Sequence, residues 1–187
     1  TVYDMAAYPK TLSGKTVATY VNTHTDLSDE LYREGKLVSD NYKNILRSQT
    51  NAAAIPAEVT VRYGVTVRRA NLRNLPTGEG LFFYAGDRNF DALQETALDP
   101  GEAVAILHTS TNGYFYYVQA YNYRGWLSKF DVAETDRSIW LRYAEPKNFL
   151  TVVAKDYTLK ADGAQVLFQQ GARLQLADKK ASAYTVK

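Results

Sequence analysis

His24 and His108 are the only imidazoles in a chain of 187 residues that contains no cysteine. Thiolate chemistry is therefore closed to these residues: they form no disulfide, no cysteine metal site and no cysteine nucleophile. Two isolated histidines make a poor zinc site. His108 alternates with Val104 and Ile106, so it reads as a satisfied structural histidine rather than a general base. No Gly-x-Ser-x-Gly elbow supports a serine hydrolase, and no glycine-rich loop supports phosphate binding. The remaining chemistry-bearing groups are carboxylates. Glu79, Asp87, Asp91, Glu95, Asp99 and Glu102 crowd one stretch. Density alone supports an acid–base pair of the glycosidase kind there. Neither a metal nor a cofactor is expected.

The stretch before it is the electrical opposite. Residues 59–77 hold Arg62, Arg68, Arg69 and Arg73 and no acid. Such a cluster suits phosphate or nucleic acid, but the following acidic stretch would compete with any polyanion, and the net charge is only +2. Pairing within the chain is the better reading, and no nucleic-acid partner is expected. No run approaches the ~18 apolar residues of a membrane-spanning helix, so no transmembrane segment is expected.

These groups must be positioned by the strands around them. Residues 104–128 contain an apolar run, Asn112-Gly113, an aromatic run, a polar turn and Gly125-Trp126-Leu127, with five Tyr, one Phe and one Trp. Asn-Gly between two such runs predicts a hairpin with a type I′ turn. Upstream, Val59, Val61, Tyr63, Val65 and Val67 alternate with mostly polar residues, as in a half-buried strand. The apolar parity then shifts to Ala70 and Leu72, which predicts a bulge or bend near 68–70. Residues 128–133 read as one short turn of helix. Five further strands are expected at 149–153, 157–159, 165–168, 173–176 and 184–186, with turn signals at Asp162-Gly163, Gln170-Gly171 and Asp178-Lys179. They suggest a second small barrel that stops at Lys187 without closing.

Residues 1–58 read differently. Leu27 and Leu31, then Tyr42, Ile45 and Leu46, recur at helical spacing. Ser28 and Ser39 precede acidic residues as N-caps do, and Gly35 separates the two short helices so predicted. The fold class expected is mainly β with a short helical N-terminal arm: an SH3-like barrel followed by a second, incomplete one.

The strand of 61–77, the run 90–110 and the segments Asn112–Val118 and Tyr123–Leu127 together resemble the first bacterial SH3 domain of multidomain NlpC/P60 cell-wall cysteine peptidases. Residues 1–58, with Tyr-Arg-Glu-Gly-Lys-Leu-Val-Ser at 32–39, resemble the N-terminal stabilising segment of those proteins, and 149–187 the start of their second SH3 domain. The division is then 1–58, a first domain at 59–135, a linker at 136–148, and 149–187. Phe115 departs from the pattern, where Trp is expected.

The resemblance implies a non-catalytic, substrate-positioning and cell-wall-targeting part of a γ-D-glutamyl–diamino acid endopeptidase, exported to the periplasm or cell envelope. A Cys–His domain, in cis or in trans, would cleave. The implied partner is a murein peptide, L-Ala-γ-D-Glu-diamino acid, with its free ammonium held by a carboxylate and an aromatic wall. Asp87, Asp91, Tyr114, Tyr116 and Tyr123 are residues of the type required, and Trp126 and His108 are assigned to the core. For each binding candidate the competing reading is structural, with the tyrosines packed between layers and the acids paired with Arg62 or Arg68. A free-standing module that recognises murein peptide or an extended protein segment is the alternative function.

Overall fold

The computed structural model describes residues 2–23, 27–161, 163–180 and 183–186. His24 lies outside the described residues. The N-terminal part runs through strand β1 (Thr11–Ser13), helix α1 (Gly14–Asn22), the hairpin of β2 (Tyr32–Arg33) and β3 (Lys36–Leu37), helix α2 (Asp40–Ser48) and β4 (Glu58–Thr60), which pairs with β1. Sequence periodicity missed α1. Ser13 caps it by accepting from the Thr16 amide at 3.1 Å, and Val17 and Val21, one turn apart, are its buried stripe. Ser39 caps α2 as expected, accepting from the Tyr42 amide. The helix expected after Ser28 does not form. Glu34 and Gly35 both have positive φ, 51° and 78°, and close the β2–β3 hairpin with a turn no right-handed helix contains. Leu27 and Leu31 reach their core from backbone outside any helix or strand instead.

Seven strands follow: β5 (Arg62–Thr66), β6 (Ala70–Arg73), β7 (Gln94–Leu98), β8 (Ala103–Thr109), β9 (Phe115–Gln119), β10 (Arg124–Ser128) and β11 (Val132–Thr135). They form one antiparallel sheet in the order β11-β5-β8-β9-β10-β6-β7. Val132 from one end of that order and Ala70, Leu72 and Leu98 from the other meet Val104, Ile106, Val118 and Leu127 in a single buried cluster. A flat sheet could not bring its two ends together, so the sheet curls into an SH3-like barrel. The bend expected near 68–70 lies between β5 and β6 and turns the chain across the barrel.

The outer face is covered as well. Val17 and Val21 of α1, with Met5 and Tyr8, pack on Val65, Ala105, Leu107, Tyr117 and Trp126. Burial on both faces explains why Ala103–Leu107 is buried residue after residue instead of alternating. It also reverses the meaning of the first alternation. Val59, Val61, Tyr63 and Val65 face the arm, while Gly64 faces the barrel interior, where a Cβ would come within 2.5 Å of Val132.

The hairpin at Asn112-Gly113 forms, but its turn is not type I′. Gly113 has φ +71°, whereas Asn112 does not enter the left-handed region. The Asn112 carboxamide oxygen instead accepts from Ser110 Oγ at 2.7 Å and from the Tyr114 amide at 3.0 Å, and the Gly113 amide donates to the Ser110 carbonyl. A side chain that mimics the backbone turn removes the need for a second left-handed residue.

The stretch 136–148, read from sequence as a linker, contains helix α3 (Arg137–Ala144). Its Trp140 is fully buried, packs tilted against Tyr63 with 4.8 Å between ring centroids, and donates from Nε1 to the Val104 carbonyl at 3.0 Å. Beyond it, β12 (Phe149–Thr151), β13 (Asp156–Ala161), β14 (Ala164–Gln169), β15 (Arg173–Lys180) and β16 (Ala183–Val186) lie close to the expected strands. One turn signal fails: Asp178-Lys179 is strand, and β15 continues to Lys180. β12, β15 and β16 make one sheet and β13–β14 a hairpin, over a small core of Val152, Phe168, Ala172 and Leu174. Among the described residues no helix is long and apolar enough to cross a membrane.

Candidate functional site

The acidic connection between β6 and β7 is held from below by one buried guanidinium. Arg73 is 5 % exposed, donates from Nη1 to Asp91 Oδ2 at 2.6 Å and from Nη2 to the Glu79 carbonyl at 2.6 Å. Asp91 Oδ1 accepts in turn from the amides of Leu81 and Leu93 at 3.1 and 3.0 Å. A carboxylate spent on one guanidinium and two amides is a structural clasp, in keeping with the structural reading of the acids, although the guanidinium is that of Arg73 and not of Arg62 or Arg68.

The clasp fixes the loop, and the N-terminal part buttresses it. Tyr32 and Phe82 exchange backbone hydrogen bonds at 2.7 and 2.9 Å, so the β2–β3 hairpin is stitched to the loop. Leu27, Leu31, Val38 and Leu46 make a separate core with Leu75, Leu81 and Leu93 beneath it. On the surface Arg33 donates to both oxygens of Glu79, at 3.1 and 2.9 Å, and stacks 4.8 Å from the Tyr42 ring. The Tyr42 hydroxyl donates to the same carboxylate. Burial, then this hydrogen bond, raises the phenol pKa of Tyr42.

A hollow of about 340 Å³ opens beside this trio, lined among others by Arg33, Glu79, Phe82, Asp87 and Arg88. Asp87 Oδ1 accepts from the Asn89 amide at 2.8 Å, which sets the turn that carries Phe90. On the same loop, though not lining the hollow, Phe83, Tyr84 and Phe90 stand 47, 74 and 77 % exposed. A loop clamped by a buried ion pair therefore presents three aromatic rings and a carboxylate outward. Sequence reading singled out Asp87 but missed Arg33, Tyr42 and Glu79 as a unit. The Glu34-Gly35 hairpin signal inside 32–39 was the available clue.

The meander tyrosines lie outside this loop, on or beside β9 and β10, and none of the three lines the hollow. Tyr114 and Tyr123 flank β9 and β10 at opposite ends of their ladder, on the order of 20 Å apart at about 3.4 Å per residue. Tyr114 is 53 % exposed and packs 5.9 Å from Phe130, with Lys129 Nζ 5.3 Å from its ring. Tyr116 donates to Glu134 at 2.6 Å and lies under Arg62, which itself pairs with Glu134 at 2.8 Å. Its hydroxyl and its face are both occupied within the chain. Tyr123 is 44 % exposed, and its carbonyl closes the β9–β10 turn by accepting from Ala120.

All four arginines of 59–77 are paired: Arg62 with Glu134, Arg68 with Asp131, Arg69 with Asp99 and Arg73 with Asp91. Only Asp91 and Asp99 belong to the acidic stretch; the other two partners come from β11 and the turn before it, directly beside β5. Trp126 is fully buried, in edge contact with Tyr117 at 5.1 Å and His108 at 6.3 Å. His108 Nε2 lies 3.0 Å from the Asn51 carbonyl and so carries a proton as a donor. Burial lowers its pKa, against the opposing pull of the Asn51 and Thr50 carbonyls. Among the described residues no cluster of three or more His, Asp or Glu is arranged to hold a metal ion.

Residues 81–128, which span the acidic loop and the meander, match the family model for the SH3 domain of SH3b1 type. No curated protein matches the chain. Among solved structures it is similar to an NlpC/P60 endopeptidase from Photobacterium damselae subsp. piscicida, with a TM-score of 0.71 and 19 % identity over 91 % of this chain. At that identity the likeness is one of fold. The match spans 42 % of the endopeptidase, so this chain corresponds to less than half of that protein.

Proposed function

We propose that this chain is the non-catalytic part of an NlpC/P60-type murein-peptide endopeptidase, working in the cell envelope, with the acidic loop as one wall of a substrate site. Residues 1–58 would stabilise the first barrel, 59–135 would form it, and 149–187 would begin a second SH3-like domain. Bond cleavage would fall to a Cys–His domain, because no thiolate exists in these residues.

The observation that carries the reading is the clamped loop. Exposed rings normally cost order, yet Phe83, Tyr84 and Phe90 sit on a segment locked by Arg73 and Asp91. Aromatic groups on the same clamped loop as Asp87 suit recognition of a cationic peptide end at low entropic cost. The fold likeness to an NlpC/P60 endopeptidase supports the same assignment.

The test is cleavage of L-Ala-γ-D-Glu-diaminopimelate by an NlpC/P60 catalytic domain, alone and joined to this chain. The joined form should have the lower KM, and Asp87→Asn should raise KM with kcat nearly unchanged, the mark of lost binding rather than lost chemistry. Identical kinetics with and without the chain would sink the proposal.

A further inference from the structure

A second cleft, sharing no residue with the acidic-loop hollow, lies where the first barrel, the N-terminal segment, the end of α3 and the 149–186 module meet. Its volume is about 440 Å³, within the range of pockets that hold small ligands, and such junctions are common places for them. Aromatic side chains supply much of the wall: Tyr3, Tyr121, Tyr143 and Phe149. Two opposite charges also face it, Glu102 from just before β8 and Arg173 from the start of β15.

Neither charge is spent. The Glu102 backbone is pinned, since its amide donates to Thr66 Oγ1 at 2.9 Å and that hydroxyl donates to the Asp99 carbonyl at 2.6 Å. Its carboxylate, in contrast, makes no hydrogen bond and no ion pair among the described residues. Burial raises its pKa, the nearby Asp99 adds to that, and Arg173 opposes it through space. The Arg173 guanidinium carbon lies over the Phe149 ring, 4.8 Å from its centroid, and the guanidinium N–H groups have no hydrogen-bond or ion-pair partner among the described residues. The other ion pairs of the barrel are closed at 2.6–3.3 Å. Here the two partners flank an open cleft without touching.

We propose that this cleft binds a short zwitterionic peptide, its ammonium on Glu102 and its carboxylate on Arg173, with its backbone against the tyrosines. A planar guanidinium edge takes a carboxylate in two parallel hydrogen bonds, and a half-buried carboxylate beside aromatic faces takes an ammonium. A ligand with both charges satisfies two groups that the chain leaves open, whereas one with a single charge satisfies only one.

Titration of the 187-residue chain with L-dialanine and L-trialanine, followed through the aromatic proton signals of Tyr3, Tyr121 and Tyr143, tests this. Saturable shifts are expected from at least one peptide. Acetylating its amine or amidating its carboxylate should weaken binding at least about tenfold, the loss of one charge-assisted contact. Glu102→Gln should abolish the difference between free and acetylated peptide, and Arg173→Gln the difference between free and amidated peptide. The capped peptides probe the same contacts without altering the protein, so a variant that fails to fold does not remove the test. No saturable shift with either peptide overturns the proposal, as does equal affinity for the free and capped forms. Neither result bears on the acidic-loop wall, which has a different assay and different residues.

Discussion

The Arg73 guanidinium lies 2.6 Å from the Asp91 carboxylate, 18 residues away in sequence, with 6 and 17 % of the two side chains exposed. This pair turns a long acidic connection into a fixed surface. Breaking it from either side leaves an uncompensated charge in a nearly dry place, so Asp91→Ala should destabilise the chain by about 3–5 kcal/mol. Urea denaturation measures the loss, and hydrogen exchange should show the Leu81 and Leu93 amides deprotected first. Unchanged exchange at those two amides would mean that the loop is held by something else.

Gly125 precedes Trp126 on β10, where the strand crosses β6. A Cβ there would come 2.5 Å from the Arg73 carbonyl, which is backbone and cannot swing aside. Gly125→Ala should cost at least about 1–3 kcal/mol through overpacking and should disturb the Arg73–Asp91 clasp as well. A double-mutant cycle with Asp91→Ala should therefore be non-additive. Simple addition of the two losses would show that the crossing and the clasp are independent.

Trp140 anchors α3 on the outer face of the sheet. Trp140→Ala should cost about 3–5 kcal/mol by cavity formation. Trp140→Phe retains most of the ring but loses the hydrogen bond to the Val104 carbonyl, for about 0.5–1.5 kcal/mol. Thermal denaturation of both variants gives the order, and a Phe variant as unstable as the Ala variant would assign the effect to the hydrogen bond rather than to packing.

His108 predicts a pH response. Burial holds its folded-state pKa below the ordinary value of 6.5, so the unfolded chain takes up its proton first as the solution is acidified. The stability from the neutral imidazole is fully present above 6.5 and is lost as the pH falls from there through the folded pKa. Glu102 and Asp131, raised by burial, act in the opposite sense, their contribution growing as carboxylates are protonated. His108→Gln should therefore flatten the loss of stability below neutral pH that the parent shows. Parallel stability profiles for parent and variant would exclude His108 as the source.

The sequence by itself determined the periodic elements. Alternation over 59–67, the aromatic meander and the later strands were legible because a strand's two faces write a period of two whenever their surroundings differ. The absence of cysteine likewise closed thiolate chemistry from composition alone. Local polar chemistry marked Ser39 as a cap, and of four arginines beside an acidic run Arg69 and Arg73 pair with it as their nearness suggested, whereas Arg62 and Arg68 find Glu134 and Asp131. Only the tertiary structure decided which face met which partner. Val59, Val61, Tyr63 and Val65 alternate identically whether they line the barrel or the arm, and a glycine at 64 was needed on the crowded inner side. Helices α1 and α3 bury few large apolar side chains, Val17 and Val21 in one and Trp140 in the other, too few marks for a period to stand out, and their order comes from burying those residues. Asp91 and Asp87 look alike in sequence. Contact with a buried guanidinium from another strand made one a clasp and left the other beside an open hollow.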